Sequence, residues 1–222
     1  LPSVKYVITL DSDTQLPPGR LRALVSVAAH PDNQPRLGVD GCSVVRGYAI
    51  LQPRLATPLP QPAEITPFHA LFAGQCGVDP YSAASSEVYQ DVFGEGTFTG
   101  KGLLHVQAMN AVLTGRLPED RVLSHDLLEG AIARCAMVSD LTLVEAAPFH
   151  PDVAASRVRR WMRGDWQLLP FLLQPRRWGL AGVHRWKMVD NLRRSLVAPV
   201  SLALLGVTLA RGTPEGGGVS PW

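Results

Sequence analysis

Apolar runs alternate with amphipathic stretches along most of the chain. Residues 4–10 (VKYVITL) are apolar and β-rich, which predicts a buried strand, and a helix with one apolar face is expected after Pro17 and Pro18. Residues 42–51 and 138–144 also predict strands. Strands that alternate with helices predict an α/β fold with a mostly parallel sheet flanked by helices, in which ligands bind at the carboxyl ends of the strands.

Two segments in the middle of the chain have helical spacing, and a glycine-rich segment precedes the second. A short helix is expected to begin at Pro67, to bury its apolar side chains and to end at Gly77. Residues 93–102 (FGEGTFTGKG) form the glycine-rich loop, and residues 103–113 have the spacing of a helix. Glycines allow a backbone to approach a ligand closely, although a mobile connection between elements has the same composition.

The C-terminal part differs from the rest of the chain. Residues 186–194 are basic and amphipathic, and residues 196–210 carry no charge but include Pro199. A membrane span needs about 20 residues, so the uncharged run is either a short buried helix or a truncated or re-entrant membrane segment. Arg193 and Arg194 agree with the excess of positive charge found on the cytoplasmic side of membranes.

Composition excludes a disordered chain, and the charges are unevenly distributed. Of 222 residues, 46% are apolar and 18% are charged, and the net charge is +2. Residues 1–150 carry ten basic and fifteen acidic side chains, whereas residues 151–222 carry eleven and four. We therefore expect the second part to meet an anion or a membrane surface.

Repeats and cysteines narrow the class of protein further. The sequence has no period of 20–50 residues, which excludes a solenoid or a propeller. The three cysteines, Cys42, Cys76 and Cys135, lie far apart and lack the spacing of metal ligands. This pattern predicts three reduced thiols in a cytosolic compartment.

Two carboxylates follow the first predicted strand directly, in the run Asp11-Ser12-Asp13. Neighbouring carboxylates repel each other unless a cation lies between them, and hard oxygen ligands suit Mg²⁺ or Mn²⁺. The alternative is an ordinary polar turn at the end of the strand. The run Asp11-Ser12-Asp13 is therefore compatible with a metal site and with an ordinary turn.

A second acidic position lies in Ser124-His125-Asp126, where Ser124 is expected to cap a helix that runs to about Cys135. A carboxylate in the first turn is ordinary helix chemistry, because the helix dipole favours its ionised form. Alternatively, Asp126 projects from this junction towards the ends of the strands as a general base. His125 receives no role.

A basic and aromatic cluster lies in residues 153–173, which predict a helix. Arg157, Arg160 and Trp161 fall on one face of it. Arginine side chains match the geometry of a diphosphate, and an indole stacks well on a sugar ring. A solvated basic face or a patch that binds acidic lipids remains possible, whereas the modest net charge and the lack of a nucleic-acid motif argue against nucleic acid.

The three motifs occur in the order seen in processive, inverting sugar transferases of the cellulose-synthase type. Those enzymes have Asp-x-Asp, then an acidic triplet that ends in Asp, then Gln-x-x-Arg-Trp; this chain has Ser124-His125-Asp126 for the triplet and Arg157 in place of Gln. Six longer runs resemble the transferase domain of cyclic β-1,2-glucan synthases, glycosyltransferase family 84. They are YVITLDSDTQLP, VVRGYAILQPR, YQDVFGEGTFTGKG, LSHDLLEG, RRWMRGDWQLLP and KMVDNLRRSLVAP.

The resemblance implies a GT-A-type fold, a UDP-glucose donor, a β-glucan acceptor and a Mg²⁺ or Mn²⁺ cofactor. It implies a larger multidomain protein of the bacterial inner membrane, with its catalytic face in the cytoplasm. It also implies that the first strands of the nucleotide-binding half lie upstream of Leu1, and the chain alone is therefore expected to be inactive. In this interpretation residues 1–182 are the catalytic core. Residues 183–210 are an interfacial helix and the start of a membrane segment that contacts lipid, and residues 211–222 are a tail.

The same resemblance implies a role for each motif residue. Asp126 would be the catalytic base, and Asp13 together with Asp11 would bind the metal. The donor diphosphate would be bound by Asp11, Arg157 and Arg160. The acceptor would be bound by four residues, Trp161, Phe98, Thr99 and Gly100.

Three other functions agree with parts of the pattern. A non-catalytic module that binds sugars or nucleotides would keep Trp161 and the arginines but would need no base. A glycosidase would use Asp11 or Asp13 together with Asp126. A membrane synthase of a different β-glycan would share every motif.

Overall fold

The computed structural model describes residues 4–58, 61–72, 87–117 and 122–211. The strands in these ranges are β1 (Tyr6–Thr9), β2 (Thr14–Gln15), β3 (Arg36–Leu37), β4 (Val44–Arg46), β5 (Ile50–Ala56), β6 (Gly102–His105) and β7 (Cys135–Glu145). The helices are α1 (Arg20–Ala29), α2 (Pro67–Phe72), α3 (Val88–Phe93), α4 (Val106–Leu113), α5 (Asp126–Ala133), α6 (Pro151–Gln167), α7 (Leu169–Leu173), α8 (Pro175–Trp178) and α9 (Gly182–Arg211).

The central sheet is mixed rather than mostly parallel. Its five described strands lie in the order β1-β6-β5-β7-β2. β5 and β7 are parallel, whereas the other three pairings, β1 with β6, β6 with β5 and β7 with β2, are antiparallel. The α/β class is confirmed, but the expected mostly parallel arrangement is wrong for the described residues. Alternation along the chain does not specify strand direction, and the short strands β2 and β6 were not predicted.

The start of the segment predicted as a helix over residues 103–113 is the strand β6. Leu103 pairs with Ile8 of β1 on one side and with Leu51 of β5 on the other, and its side chain is buried. Pairing on both sides satisfies the backbone of this segment and overrides its helical spacing. The helix α4 begins only at Val106.

The first predicted strand forms, but at the edge of the sheet. β1 pairs only with β6 within the described sheet, and Val7 is 44% exposed. The expectation of a buried strand is therefore wrong for this face. The predicted helix that follows is confirmed as α1, which buries Leu24 and Ala28 against Leu51 of the sheet.

The helix α2 begins where predicted but does not bury its apolar face. Thr66 Oγ1 accepts a hydrogen bond from the main-chain N–H of His69 at 3.0 Å, as a cap does. Leu71 and Phe72 are exposed, whereas His69 is buried and stacks on Phe149. The predicted end at Gly77 lies outside the described residues.

The long predicted basic helix is divided into two, α6 and α7, at Leu168. The last described helix, α9, is continuous over 30 residues with Pro199 inside it. Its first half packs on the core and buries Lys187 and Met188, whereas the apolar side chains from Leu196 onwards are exposed. The possibility that this run is a short buried helix is therefore wrong within the described structure.

Two of the three cysteines lie in the described residues. Cys42 is exposed, Cys135 is buried, and both are free thiols. Both agree with the prediction of reduced cysteines, and Cys76 lies outside the described residues.

Candidate active site

The glycine-rich loop is held at three points. At its start, the buried ammonium of Lys187 donates hydrogen bonds to Gly96 O at 2.7 Å and to Glu95 O at 3.3 Å. In its middle, the main-chain N–H and Oγ1 of Thr99 donate to Oε1 of Gln52, a fully buried side chain of β5, at 3.0 and 3.1 Å. At its end, Lys101 is held by two carboxylates, described below. These contacts fix the loop in one position, which a mobile connection would not have.

Glu95 stabilises this loop by ion pairs. Its carboxylate contacts Arg134 at 2.9 Å and His184 of α9 at 2.8 Å. Burial raises the pKa of Glu95, but the hydrogen bond and charge of His184 and the charge of Arg134 outweigh burial, so the pKa is lowered overall. Glu95 therefore links the loop to α9 as an ionised group.

Three carboxylates meet at the end of the sheet. One oxygen each from Asp11, Asp13 and Glu145 lies within 4.8 Å of the others. The antiparallel pair β2–β7 brings them together, because it places Thr14 directly opposite Glu145. The sequence predicted Asp11 and Asp13 but not Glu145. The only sign of Glu145 in the sequence was its position directly after the predicted strand 138–144.

Two basic side chains neutralise most of this acidic cluster. Lys101 Nζ lies 2.8 Å from Asp11 Oδ2 and 3.0 Å from Glu145 Oε2. Arg157 of α6 contacts Asp13 Oδ2 at 3.3 Å and Glu145 Oε1 at 3.4 Å. Burial alone would lower the pKa of Lys101, but the hydrogen bond to Asp11 and the charge of Glu145 raise it, so Lys101 stays charged. Lys101 was not singled out in the sequence.

A cleft of about 330 Å³ lies beside this cluster and shares Lys101 with it. Four parts of the chain form its walls: the glycine-rich loop, the start of α5, one face of α6 and the middle of α9. Apart from the loop, the side chains that line it include Ser124 just before α5, and Asp126, Leu127, Val158, Trp161, Met162, Asp165, Asn191, Arg194 and Ser195 on the three helices. The contribution of α9 to the cleft was not predicted: Asn191, Arg194 and Ser195 lie in the run KMVDNLRRSLVAP, but the sequence linked this part of the chain to a membrane surface and not to the site.

Asp126 is the first residue of α5 and faces this cleft. Ser124 Oγ donates a hydrogen bond to Asp126 Oδ2 at 3.2 Å. The residue that precedes the helix is His125, so the predicted cap at Ser124 is wrong, and Ser124 contacts the carboxylate instead. Gly100, with φ of +90°, lies so close that an added Cβ would be 2.9 Å from Asp126 Oδ2.

Burial raises the pKa of Asp126, although the hydrogen bond from Ser124 and the positive charge of Lys101 act in the opposite direction. The sequence had suggested that the helix dipole would favour the ionised form. In the folded structure the pKa of Asp126 is raised, with desolvation as the largest cause. A carboxylate with a raised pKa accepts a proton more readily, which suits a general base.

The other predicted site residues lie in different places. Phe98 and Thr99 line the cleft, although Phe98 is also part of the hydrophobic core. Trp161 lines the cleft, is 42% exposed and lies 5.9 Å from the guanidinium of Arg157. Arg160 is exposed on α6 and is not among the residues that line the cleft or form the acidic cluster in the described structure.

The donors of the acidic cluster fit a divalent cation. Carboxylate oxygens are preferred ligands of Mg²⁺ and Mn²⁺. The side chains of Asp11 and Asp13 are 55% and 40% exposed, whereas that of Glu145 is 3% exposed and already bound by both basic groups. Asp11 and Asp13 are therefore the residues that could hold an ion.

Fold and site together define an α/β protein with an acidic cluster beside a carboxylate- and indole-lined cleft. No family model matches the chain. The chain is similar to part of the cyclic β-(1,2)-glucan synthase NdvB of Rhizobium meliloti (strain 1021), with 50% identity over 200 residues. The similarity covers 90% of this chain, and the chain spans 7% of the length of that relative. This chain is thus a homologue of one segment of a glucan synthase.

Proposed function

We propose that this chain is the catalytic part of an inverting glycosyltransferase of family 84, with a GT-A-type fold, that transfers glucose from UDP-glucose to a growing β-1,2-glucan. The observation that carries the proposal is the position of Lys101, which binds Asp11 and Glu145 and also lines the cleft of Asp126. A place for a diphosphate and a place for a base are therefore contiguous. Similarity to a glucan synthase supports the choice of sugar.

The stereochemistry follows from the proposed substrates. UDP-glucose is an α-linked donor and the product is a β-glucan, so a single displacement with one inversion gives the product. An acceptor hydroxyl oxygen attacks the anomeric carbon, the bond from that carbon to the diphosphate breaks, and UDP leaves with the bonding electrons. Asp126 accepts the hydroxyl proton as the new bond forms.

The leaving diphosphate needs positive charge. Lys101 and Arg157 supply it from fixed positions beside the cleft, and Arg160 adds an exposed guanidinium on the same helix as Arg157. Asp13 and Asp11 would hold Mg²⁺ or Mn²⁺, which when bound supplies further positive charge to the diphosphate oxygens.

The acceptor sugar is proposed to lie in the cleft. Trp161 offers the exposed face of its indole for stacking, as expected for the apolar face of a glucose ring. Phe98 and Thr99 form the neighbouring wall. Gly100, between them and Lys101, leaves room for the carboxylate of Asp126 and is proposed to contact the acceptor there.

The second half of α9 is proposed to enter the inner membrane, with the catalytic face in the cytoplasm. By length and composition, α9 is the one described helix that could cross a membrane, and 6% of its apolar window is buried. Its exposed apolar side chains include Val200, Leu202 and Leu209. Arg193 and Arg194 would lie at the lipid headgroups.

We also propose that the catalytic unit includes further strands of the same protein, which add to β1. The outer edge of β1 is unpaired in the described sheet, and exposed strand edges are commonly covered by another strand. The small share of the relative that this chain spans agrees with a larger protein.

Release of UDP is the experiment that tests this function. Membranes that contain the full-length protein are incubated with UDP-glucose, with and without Mn²⁺, and free UDP is measured. We expect metal-dependent release, which Asp13→Ala abolishes together with metal-dependent UDP binding in calorimetry. A binding module would bind UDP without releasing it from UDP-glucose, and a glycosidase would be indifferent to the nucleotide; either result would overturn the proposal.

A further inference from the structure

A polar network on α6 and α9 lines the cleft but has no part in the steps described above. Asn191 Nδ2 donates a hydrogen bond to Asp165 Oδ1 at 3.1 Å. Arg194 donates to Asn191 Oδ1 and contacts Asp190 Oδ2 at 3.3 Å. Asp165, Asn191 and Arg194 all line the cleft. We call these three residues the polar wall.

A second contact between α6 and α9 supports the polar wall. Trp166 Nε1, next to Asp165, donates a hydrogen bond to Ser195 Oγ at 3.1 Å, and this hydroxyl donates to Leu192 O at 2.7 Å. The two helices are thus joined at Asp165 and at the neighbouring Trp166. A site that must recognise a ligand benefits from such pre-organised side chains.

The charges of the polar wall suit a neutral ligand. Arg193 and Arg194 both pair with Asp190, so the charges around the wall nearly cancel. Burial raises the pKa of Asp165, and the hydrogen bond from Asn191 and the charge of Arg194 act in the opposite direction. A diphosphate would be repelled by Asp165 and would instead be attracted to Lys101 and Arg157 at the acidic cluster. A sugar, by contrast, has hydroxyl groups that donate to a carboxylate and accept from an amide or a guanidinium.

Asp165 has the capacity to bind such a hydroxyl. A carboxylate has about four acceptor positions, and Asn191 occupies one of them. Asp165 also lies four residues after Trp161 on α6, so both side chains are on the same face of the helix and line the same cleft. A sugar ring stacked on Trp161 would present its hydroxyl edge to the polar wall.

We propose that Asp165, positioned by Asn191 and Arg194, accepts a hydrogen bond from a hydroxyl of the acceptor saccharide and so determines how the acceptor is bound. This inference rests on the proposed transferase function and concerns only its acceptor. Asp165 then binds the acceptor, and Asp126 removes the proton.

The test compares transfer to sugar with transfer to water. Asp165→Asn and Asn191→Ala are made in the full-length protein in membranes, with Asp152→Asn, an exposed residue of α6, as the matched control. Donor hydrolysis is measured as UDP release without acceptor, and transfer is measured against the concentration of a β-1,2-linked glucooligosaccharide. Asp165→Asn replaces a charged acceptor by a neutral one, and Asn191→Ala removes the amide that positions Asp165. We expect an acceptor KM about tenfold higher in both variants. The donor KM and donor hydrolysis should stay at the level of the control.

Two results would overturn the proposal that the polar wall binds the acceptor. Unchanged acceptor KM in both variants would show that neither residue binds the acceptor. Loss of donor hydrolysis in both variants would show that the two residues act in folding or in the displacement itself. Thermal unfolding of the purified variants distinguishes a folding defect from a defect in the displacement. Absence of UDP release from the unaltered protein would instead contradict the transferase function, and the polar wall with it.

Discussion

The ammonium of Lys187, a residue that is 4% exposed, donates a hydrogen bond to the main-chain carbonyl of Gly96 at 2.7 Å. This contact joins α9, the helix with the exposed apolar half, to the loop that forms one wall of the cleft. Lys187 also lies 4.6 Å from the centre of the Tyr89 ring, as in a cation–π contact. The position of the loop therefore depends on how α9 packs against the core.

Removal of this contact should destabilise the protein. Lys187→Met keeps most of the side-chain volume but leaves the carbonyls of Glu95 and Gly96 without their donor. We expect a loss of about 1–3 kcal/mol in the free energy of unfolding, the cost of unsatisfied buried groups. Urea unfolding in detergent measures it, with Arg185→Met, an exposed position on the same helix, as the control. Equal stability of the two variants would show that Lys187 does not hold the loop.

Glu129 should make stability depend on pH. Burial, together with the charge of Asp126 one turn earlier, raises the pKa of Glu129 to about 7 from its usual 4.5. Between these two pKa values the folded state binds a proton that the unfolded state has lost. The contribution of Glu129 to the free energy of unfolding therefore falls by up to about 3 kcal/mol as pH rises from about 4.5 to about 7, and it stays constant at higher pH.

Glu129→Gln cannot ionise and should remove this loss. We expect the variant to be more stable than the unaltered protein at pH 8 and much closer to it at pH 4.5, as measured by urea midpoints. Glu64→Gln, at an exposed position, is the control. A constant difference between Glu129→Gln and the unaltered protein across this range would contradict the raised pKa.

The exposed half of α9 should carry membrane binding. Lys187, Asn191 and Ser195 contact the core or line the cleft, so the chain is best shortened directly after Ser195. We expect residues 1–222 to float with anionic liposomes and residues 1–195 to remain at the bottom of the gradient. A full chain with Leu202→Asp and Leu205→Asp should also lose flotation, because each charge costs about 2.5–3.5 kcal/mol at the centre of a membrane helix. Flotation of the shortened chain would place the lipid contact elsewhere.

Local patterns predicted the parts of the site that one segment can specify. Asp11 and Asp13 follow a strand and Asp126 begins a helix, and the structure places all three at the acidic cluster or the cleft. Glu145 reaches the cluster only through the antiparallel pair β2–β7, a long-range contact that no local pattern contains. The sequence shows Lys101 only as a member of the glycine-rich loop, because its two carboxylate partners are distant in sequence.

The fold was predictable to the same extent. The helix α1 and the strand β7 were specified by their own spacing, and both form. Leu103 has helical neighbours in sequence but pairs on both sides in the sheet, so tertiary structure decided its conformation. The polar wall was not predictable in the same way, because Asp165 lies on α6 and meets Asn191 and Arg194 of α9 only through the packing of the two helices.

The central claim is that Asp126 is the base, and turnover measured beside donor affinity tests it most directly. Asp126→Asn keeps the shape of the side chain but cannot accept the proton of the acceptor hydroxyl. In the full-length protein we expect a fall in UDP release of about 10²- to 10⁴-fold, with the affinity for UDP-glucose nearly intact. Asp13→Ala should instead weaken donor binding first. If Asp126→Asn retained more than about a tenth of the turnover, the loss would be smaller than the loss of a general base causes, and the assignment would be contradicted.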